Sequence, residues 1–273
     1  KEDKKQFKTR VMAASATSPS LSPSLNSPLP PISEEQKKIV RQIRAGRNVI
    51  VEAVAGSGKT TCNLYLAINS ADKKILLLTY NSKLRLETRE KAHRCEISNM
   101  EVHSYHSFCV KYYNHNAYTD FVIKDIIVKK QVPKVQFGYD IIILDELQDI
   151  SSLYYNLICK IYKDNDNNAL ICILGDRYQT IYNFKGADKR YIIYADKLFN
   201  YNSYKWCKST LSYSYRITFE MSEFINNCLL KDSRIKSNKI TKVKPKYIIC
   251  DVFDESIKNI AFNQVKNFLT MGY

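Results

Sequence analysis

The sequence predicts an α/β fold: a parallel sheet with helices on both faces, followed by the start of a second α/β domain. Three observations carry this expectation. Short apolar runs alternate with helical segments through the middle of the chain. The first run opens into a small glycine-bearing loop and then a helix. A later run ends in two adjacent carboxylates, as a buried strand does when its carboxyl end lines a crevice.

The elements follow in order. Lys1–Arg10 is charged and mostly basic, and Ala13–Pro31 is rich in Ser and Pro, so residues 1–31 are expected to be a disordered tail. The basic decapeptide reads as a solvated tail in preference to a nucleic-acid arm or a localisation signal. The first residue is Lys and not Met, so a fragment or a processed form is expected. Folding should begin near Ile32. Gln36–Arg44 reads as a helix, with Ser33 as N-cap and Gln36 at capping-box spacing. The strands should be Asn48–Ala53, Lys74–Leu78, Asn99–Val102, Ile141–Leu144 and Ala169–Leu174. Lys246–Cys250 reads as a further strand and Asp254–Leu269 as a helix. The expected organisation is a first domain over 32–230 and the truncated beginning of a second over 231–273.

The loop after the first strand carries the chemistry. Ala53–Thr60 reads Ala-Val-Ala-Gly-Ser-Gly-Lys-Thr, and Thr61–Ala67 continues as a helix. Backbone N–H groups of Ala55, Gly56, Ser57 and Gly58, with the helix N-terminus behind them, make an anion site. Lys59 can reach β- and γ-phosphates, and Thr60 can hold Mg²⁺. Asp145 and Glu146, at the end of Ile141–Leu144, are placed for the Mg²⁺ shell and for polarising the attacking water. After the fifth strand, Gln179 can face a γ-phosphate, and Tyr182 and Phe184 can offer ring faces to bases.

With these residues the chain resembles the UvrD/Rep/PcrA type of superfamily 1 DNA helicase, and is most similar there to the F-box DNA helicase branch. Ala55–Thr61 resembles motif I. Asp145–Asp149 resembles motif II, with Leu147 in place of alanine. Gly175–Ala187 resembles motif III. Ser33–Gln36 is similar to the Q motif, Leu78–Lys83 to motif Ia, Ser104–Ser107 to the Thr-Phe-His-Ser motif and Leu211–Arg216 to motif IV. The resemblance implies a RecA-like P-loop NTPase motor domain using ATP and Mg²⁺. It implies that Gln36 reads adenine, that Thr61 stands beside the nucleotide, and that Gln179 and Arg216 face the γ-phosphate. It implies contacts to single-stranded DNA, or tailed duplex DNA, through Tyr80, Asn81, His106, Tyr182 and Phe184, and 3′-to-5′ movement. Two departures stand out. Under forty residues separate Ser107 from Asp145, so the helical insertion of these helicases is expected to be vestigial near 109–136. No stretch before Tyr273 matches motifs V and VI.

Composition sets the outer bounds. The net charge is +15, which favours a polyanionic partner. Eight cysteines without CxxC spacing read as reduced thiols of an intracellular protein, in the nucleus or another DNA-containing compartment. No stretch reads as a membrane span or signal peptide. The expected activity is that of an ATP-dependent DNA helicase motor half. The alternative is a non-catalytic nucleotide- or single-strand-binding remnant that regulates a partner.

Overall fold

The computed structural model describes residues 29–166, 168–245 and 254–270. The chain divides into two compact units between Arg216 and Ile217. The expected boundary near 230 therefore falls inside the second unit.

The first unit runs α1 Glu34–Arg44, β1 Asn48–Ala53, α2 Lys59–Ile68, β2 Ile75–Thr79, α3 Ser82–Arg94, β3 Met100–Ser104, α4 Tyr105–Tyr112 and α5 Asp120–Val128. It continues β4 Ile141–Asp145, α6 Ser152–Asp164, β5 Leu170–Gly175, α7 Arg190–Ile193, α8 Ala195–Leu198 and β6 Trp206–Leu211. The six strands form one sheet in the order β3-β2-β4-β5-β1-β6, every pairing parallel. β5 thus lies between the strand that opens into the glycine loop and the strand that ends in Asp145. Loops after β1, β4 and β5 are brought to one end of the sheet, although more than a hundred residues separate the first from the last in sequence.

The strand sequences are continuous apolar runs because both faces are covered. Side-chain alternation divides each strand between two cores. Ile50, Leu76, Leu78, Ile142, Leu144, Ile171 and Ile173 face α4, α5 and α6. Val49, Val51, Ile75, Leu77, Ile141, Ile143 and Leu174 face α1 and α2. β6 was not expected. Its sequence, Trp-Cys-Lys-Ser-Thr-Leu, lies at a sheet edge and is only partly buried, so it has no apolar run.

α1 starts two residues earlier than expected, directly after Ser33. The Ser33 hydroxyl accepts from the Gln36 backbone N–H at 3.2 Å, and the Gln36 side-chain oxygen accepts from the Ser33 N–H at 2.9 Å. Ordered packing also reaches back into the stretch expected to be tail. Leu29 and Ile32 are buried, and the Tyr65 hydroxyl donates to the Pro30 carbonyl at 2.8 Å. The rest of that tail, 1–28, lies outside the described residues.

The short segment after Ser107 joins the core layer. Phe108, Tyr112 and Tyr113 of α4 and its end are buried with Phe137, with Phe108–Phe137 ring centroids at 5.2 Å. Ile123 and Ile126 of α5 complete that layer. α4 and α5 therefore cover the sheet instead of forming a separate subdomain.

In the second unit, α9 Phe219–Phe224 runs into a wider turn of helix over Ile225–Leu230. The Asn226 amide exchanges two hydrogen bonds with the Ile235 backbone, at 2.8 and 3.1 Å. α10 spans Ser256–Thr270, and Asp254 accepts from the Ser256 N–H at 2.8 Å. The expected strand Lys246–Cys250 lies outside the described residues. No helix among the described residues is long and apolar enough to cross a membrane.

Candidate active site

The glycine loop turns on two left-handed residues, Gly56 at φ +70° and Gly58 at φ +84°. Each is a conformation that costs a residue with a Cβ about 1–2 kcal/mol. At Gly56 a Cβ would also lie 2.4 Å from the Arg216 Cβ. The loop after β6 presses this closely because it is tied to the glycine loop. The Ser214 hydroxyl donates to the Ala55 carbonyl at 2.7 Å, and the Tyr215 N–H donates to the Gly56 carbonyl at 2.9 Å. α2 begins at Lys59 without a side-chain cap, so its first N–H groups are available to an anion. Ser57 is buried with its hydroxyl unpartnered. Thr60 and Thr61 lie half-buried in the first turn.

The acidic arm faces this loop. Lys59 Nζ lies 3.2 Å from Glu146 Oε1, in a largely buried ion pair. Glu146 itself has φ +54° and ψ +45°, a left-handed conformation unusual for a side chain of its size. Its other carboxylate oxygen accepts from the Gln148 amide at 2.9 Å. The Gln148 carbonyl oxygen in turn accepts from the Asp176 N–H, just past β5, at 3.1 Å. Asp145 is buried beneath them, and the Glu146 N–H donates to it at 3.0 Å. Burial, with the Glu146 charge added, pushes its carboxyl up to about 7, while Lys59 partly opposes the rise. Asp149 is pushed up to about 6 by the same two causes in the same order.

These residues fit an Mg²⁺–nucleotide. The loop offers N–H groups and an unpartnered buried hydroxyl to phosphate. Thr60 and Asp145 offer the small oxygen set that Mg²⁺ takes when phosphates and waters complete its shell. Gln36 reaches the same loop, its amide donating to the Gly58 carbonyl at 3.2 Å. Arg216 is exposed beside Gly56. Gln179 is turned toward its own turn: its amide donates to Asp176 at 2.7 Å.

The expected nucleic-acid residues gather beyond β2 and β5. Tyr80 and Tyr182 have ring centroids 5.4 Å apart, and Tyr182 and Phe184 6.1 Å. Lys185 Nζ stands 5.6 Å from the Tyr182 ring centre and 5.8 Å from that of Phe184. Phe184 is 78% exposed, whereas Tyr80 and Tyr182 are half-buried. His106 and Asn81 are committed locally. His106 Nε2 lies 3.1 Å from Asp120, which also accepts from the Tyr154 hydroxyl at 2.7 Å. The Asn81 side-chain oxygen caps α3, accepting from the Lys83 N–H at 2.8 Å.

Three residues at the site had no role assigned from sequence. Gln148, in the turn past β4, packs against Gly175 at the end of β5. Tyr215 is 63% exposed, and its ring edge lies 3.9 Å from where a Gly58 Cβ would stand, on the Gln36 side of the loop. A tyrosine directly before Arg216 was the available signal.

Residues 36–185 match the sequence model of a family described as AAA domain. The RecBCD enzyme subunit RecB of Buchnera aphidicola subsp. Acyrthosiphon pisum is 32% identical over 113 residues, 40% of this chain and 9% of that protein. A probable DNA helicase II homolog of Mycoplasma capricolum subsp. capricolum is 30% identical over 102 residues, 37% of this chain and 13% of that protein. Unliganded Pif1 from Bacteroides sp. superposes with a TM-score of 0.43 at 18% identity, covering 72% of this chain and 45% of that one. The matched segments span about a tenth of these two curated relatives' length. The resemblance to a superfamily 1 helicase motor domain stands, and none of these matches speaks for the F-box branch.

Proposed function

Because this chain belongs to the AAA domain family, we propose that its first unit is the ATP-hydrolysing motor of a DNA helicase that moves along single-stranded DNA. The observation that carries this reading is the Lys59–Glu146 pair, 3.2 Å long, at the mouth of a left-handed glycine loop. A lysine and a carboxylate that neutralise each other there are a phosphate ligand and a base waiting for substrate.

In this reading the triphosphate enters over Gly56–Thr60 and draws Lys59 toward its β- and γ-phosphates. Glu146 then loses its countercharge and turns its freed oxygen to a water in line with the γ-phosphorus. Thr60 and Asp145 are the residues that would hold Mg²⁺, and a bound Mg²⁺ would supply positive charge to the phosphate oxygens. Arg216 adds a positive charge from the opposite side of the loop, and Gln179 leaves Asp176 to face the γ-phosphate. Gln36 and Tyr215 frame the adenine, one by hydrogen bonding and one by its ring face. Phe184, Tyr182 and Tyr80 form the base platform, with Lys185 supplying charge toward the DNA backbone. UvrD-like mechanics and 3′-to-5′ polarity come from the family resemblance.

Equilibrium binding of a fluorescent ATP analogue with Mg²⁺ tests the reading. Lys59→Ala removes one charge-assisted contact to phosphate, so affinity should fall about 10- to 100-fold. Equal affinity in the two proteins rejects the site.

A further inference from the structure

We propose that Gln148 is the positioning residue for Glu146, and that Gly175 is glycine so that Gln148 can do this. The inference rests on the reading of Glu146 as the hydrolytic base. Four contacts lead to it. Glu146 presents two carboxylate oxygens to two partners: Oε1 to Lys59 at 3.2 Å and Oε2 to the Gln148 amide at 2.9 Å. When phosphate takes Lys59, the Gln148 contact remains to fix the carboxylate. Gln148 is itself buried and cannot swing, because its Oε1 accepts from the Asp176 N–H at 3.1 Å. That Oε1 occupies the space beside Gly175: a Cβ there would stand 2.4 Å from it and 2.8 Å from the Ile192 side chain.

The backbone supports the same assignment. Glu146 is held at φ +54°, in the uncommon left-handed region, directly between the strand end at Asp145 and the turn that carries Gln148. Gln148 follows in a short 3₁₀ turn over Leu147–Asp149, and so reaches back across one residue to the carboxylate it anchors. The chain of contacts therefore runs from Asp176, at the end of β5, through Gln148 to Glu146, at the end of β4. Asp176 also holds Gln179 at 2.7 Å, so one short turn after β5 is linked to both groups that face the γ-phosphate in the proposed reaction. Gln148 touches neither nucleotide nor water in this scheme. It acts through Glu146, by leaving one defined oxygen free.

Steady-state ATP hydrolysis by the full chain tests this, with Glu146→Gln setting the floor. Gln148→Ala should lower kcat about 10- to 100-fold and leave KM and nucleotide affinity within about threefold. Gln148→Glu is the discriminating variant. It keeps the shape and the acceptor for the Asp176 N–H, but replaces the amide donor by an anion facing Glu146. It should be at least as slow as Gln148→Ala, whereas a merely space-filling role leaves it near wild type. Gly175→Ala should reproduce the kcat loss by displacing Gln148. A readout independent of turnover is the side-chain amide resonance of Gln148 in ¹⁵N-labelled protein. It should shift when Glu146 is changed to Ala with Lys59 and Asp176 intact. Unchanged amide resonances in Glu146→Ala, or wild-type kcat in Gln148→Glu, overturns the proposal. Loss of nucleotide binding in wild type would instead overturn the reading of the site.

Discussion

Asp145 makes the nucleotide-free protein less stable as pH rises, and the effect can be sized. An ordinary aspartate titrates near 3.8, and burial, with Glu146 beside it, pushes Asp145 up to about 7. A carboxyl that holds its proton more tightly when folded takes up a proton on folding between those values. Its contribution to stability is full below about pH 4 and is lost as pH rises through about 7. At about 1.4 kcal/mol per pH unit the span corresponds to roughly 4 kcal/mol. Lys59 opposes the rise, and local relaxation reduces it, so about 2–4 kcal/mol is the expected range. Asp149, pushed up to about 6, tilts stability the same way. Urea denaturation of nucleotide-free protein at pH 5 to 8, on wild type and Asp145→Asn, measures this. Wild type should lose stability toward pH 8. Asp145→Asn should be the more stable protein at pH 8 and show a clearly shallower pH slope. Parallel slopes in the two proteins would refute the argument, because the buried carboxyl would then be titrating normally.

Two further outcomes follow from the same structure. Phe184→Ala should weaken binding of a single-stranded oligonucleotide about 5- to 150-fold, the loss of one stacking platform, without lowering the melting temperature, since the ring is 78% exposed; unchanged affinity in a fluorescence titration removes it from the DNA face. Gly46→Ala and Gly56→Ala separate conformation from contact. Both glycines sit near φ +70°, so each variant should lose about 1–2 kcal/mol, but only at Gly56 does the new Cβ meet Arg216, and only that variant should also lose nucleotide binding.

Much of the sheet was legible in the sequence because its inner strands are buried on both faces. Ile141–Leu144 and Ala169–Leu174 are apolar without interruption, and each strand lies within a residue or two of its expected place. Strand ends were less legible, since Thr79, Ser104, Asp145 and Gly175 continue the pairing in spite of being polar or small. β6 was invisible for the opposite reason: an edge strand keeps its outer side chains wet and shows no run. At the site, residue types suggested candidate ligands but not their arrangement. Lys59 and Glu146 are 87 positions apart and meet only because β1 and β4 flank β5. Gln148 is held by Asp176, just past another strand, and nothing in its local sequence announces that. Nor does a sequence show a glutamate at positive φ. His106 and Asn81 matched family motifs, and the structure adds that each already holds a local partner, Asp120 and the first turn of α3.

Three costs within the fold gather at the same place as the motifs. Glu146 holds a left-handed backbone at roughly 1–2 kcal/mol. Ser57 buries a hydroxyl without a partner, at about 1–3 kcal/mol. Asp145 buries a carboxyl whose charge is offset only in part. All three stand within a few residues of the glycine loop or the end of β4, where the hydrophobic core would be served better by apolar side chains. The last two costs are of a kind that a phosphate with its metal ion relieves. Phosphate oxygens accept from a hydroxyl and from open N–H groups, and a divalent cation lowers the cost of ionising a buried carboxylate. In the proposed reaction the Lys59–Glu146 pair then has a definite role. Without nucleotide it neutralises the two charges that the reaction needs, and so limits the penalty of keeping the site preformed. It also keeps the base occupied until phosphate replaces it as the partner of Lys59. A site organised this way withholds its base until the substrate itself has arrived.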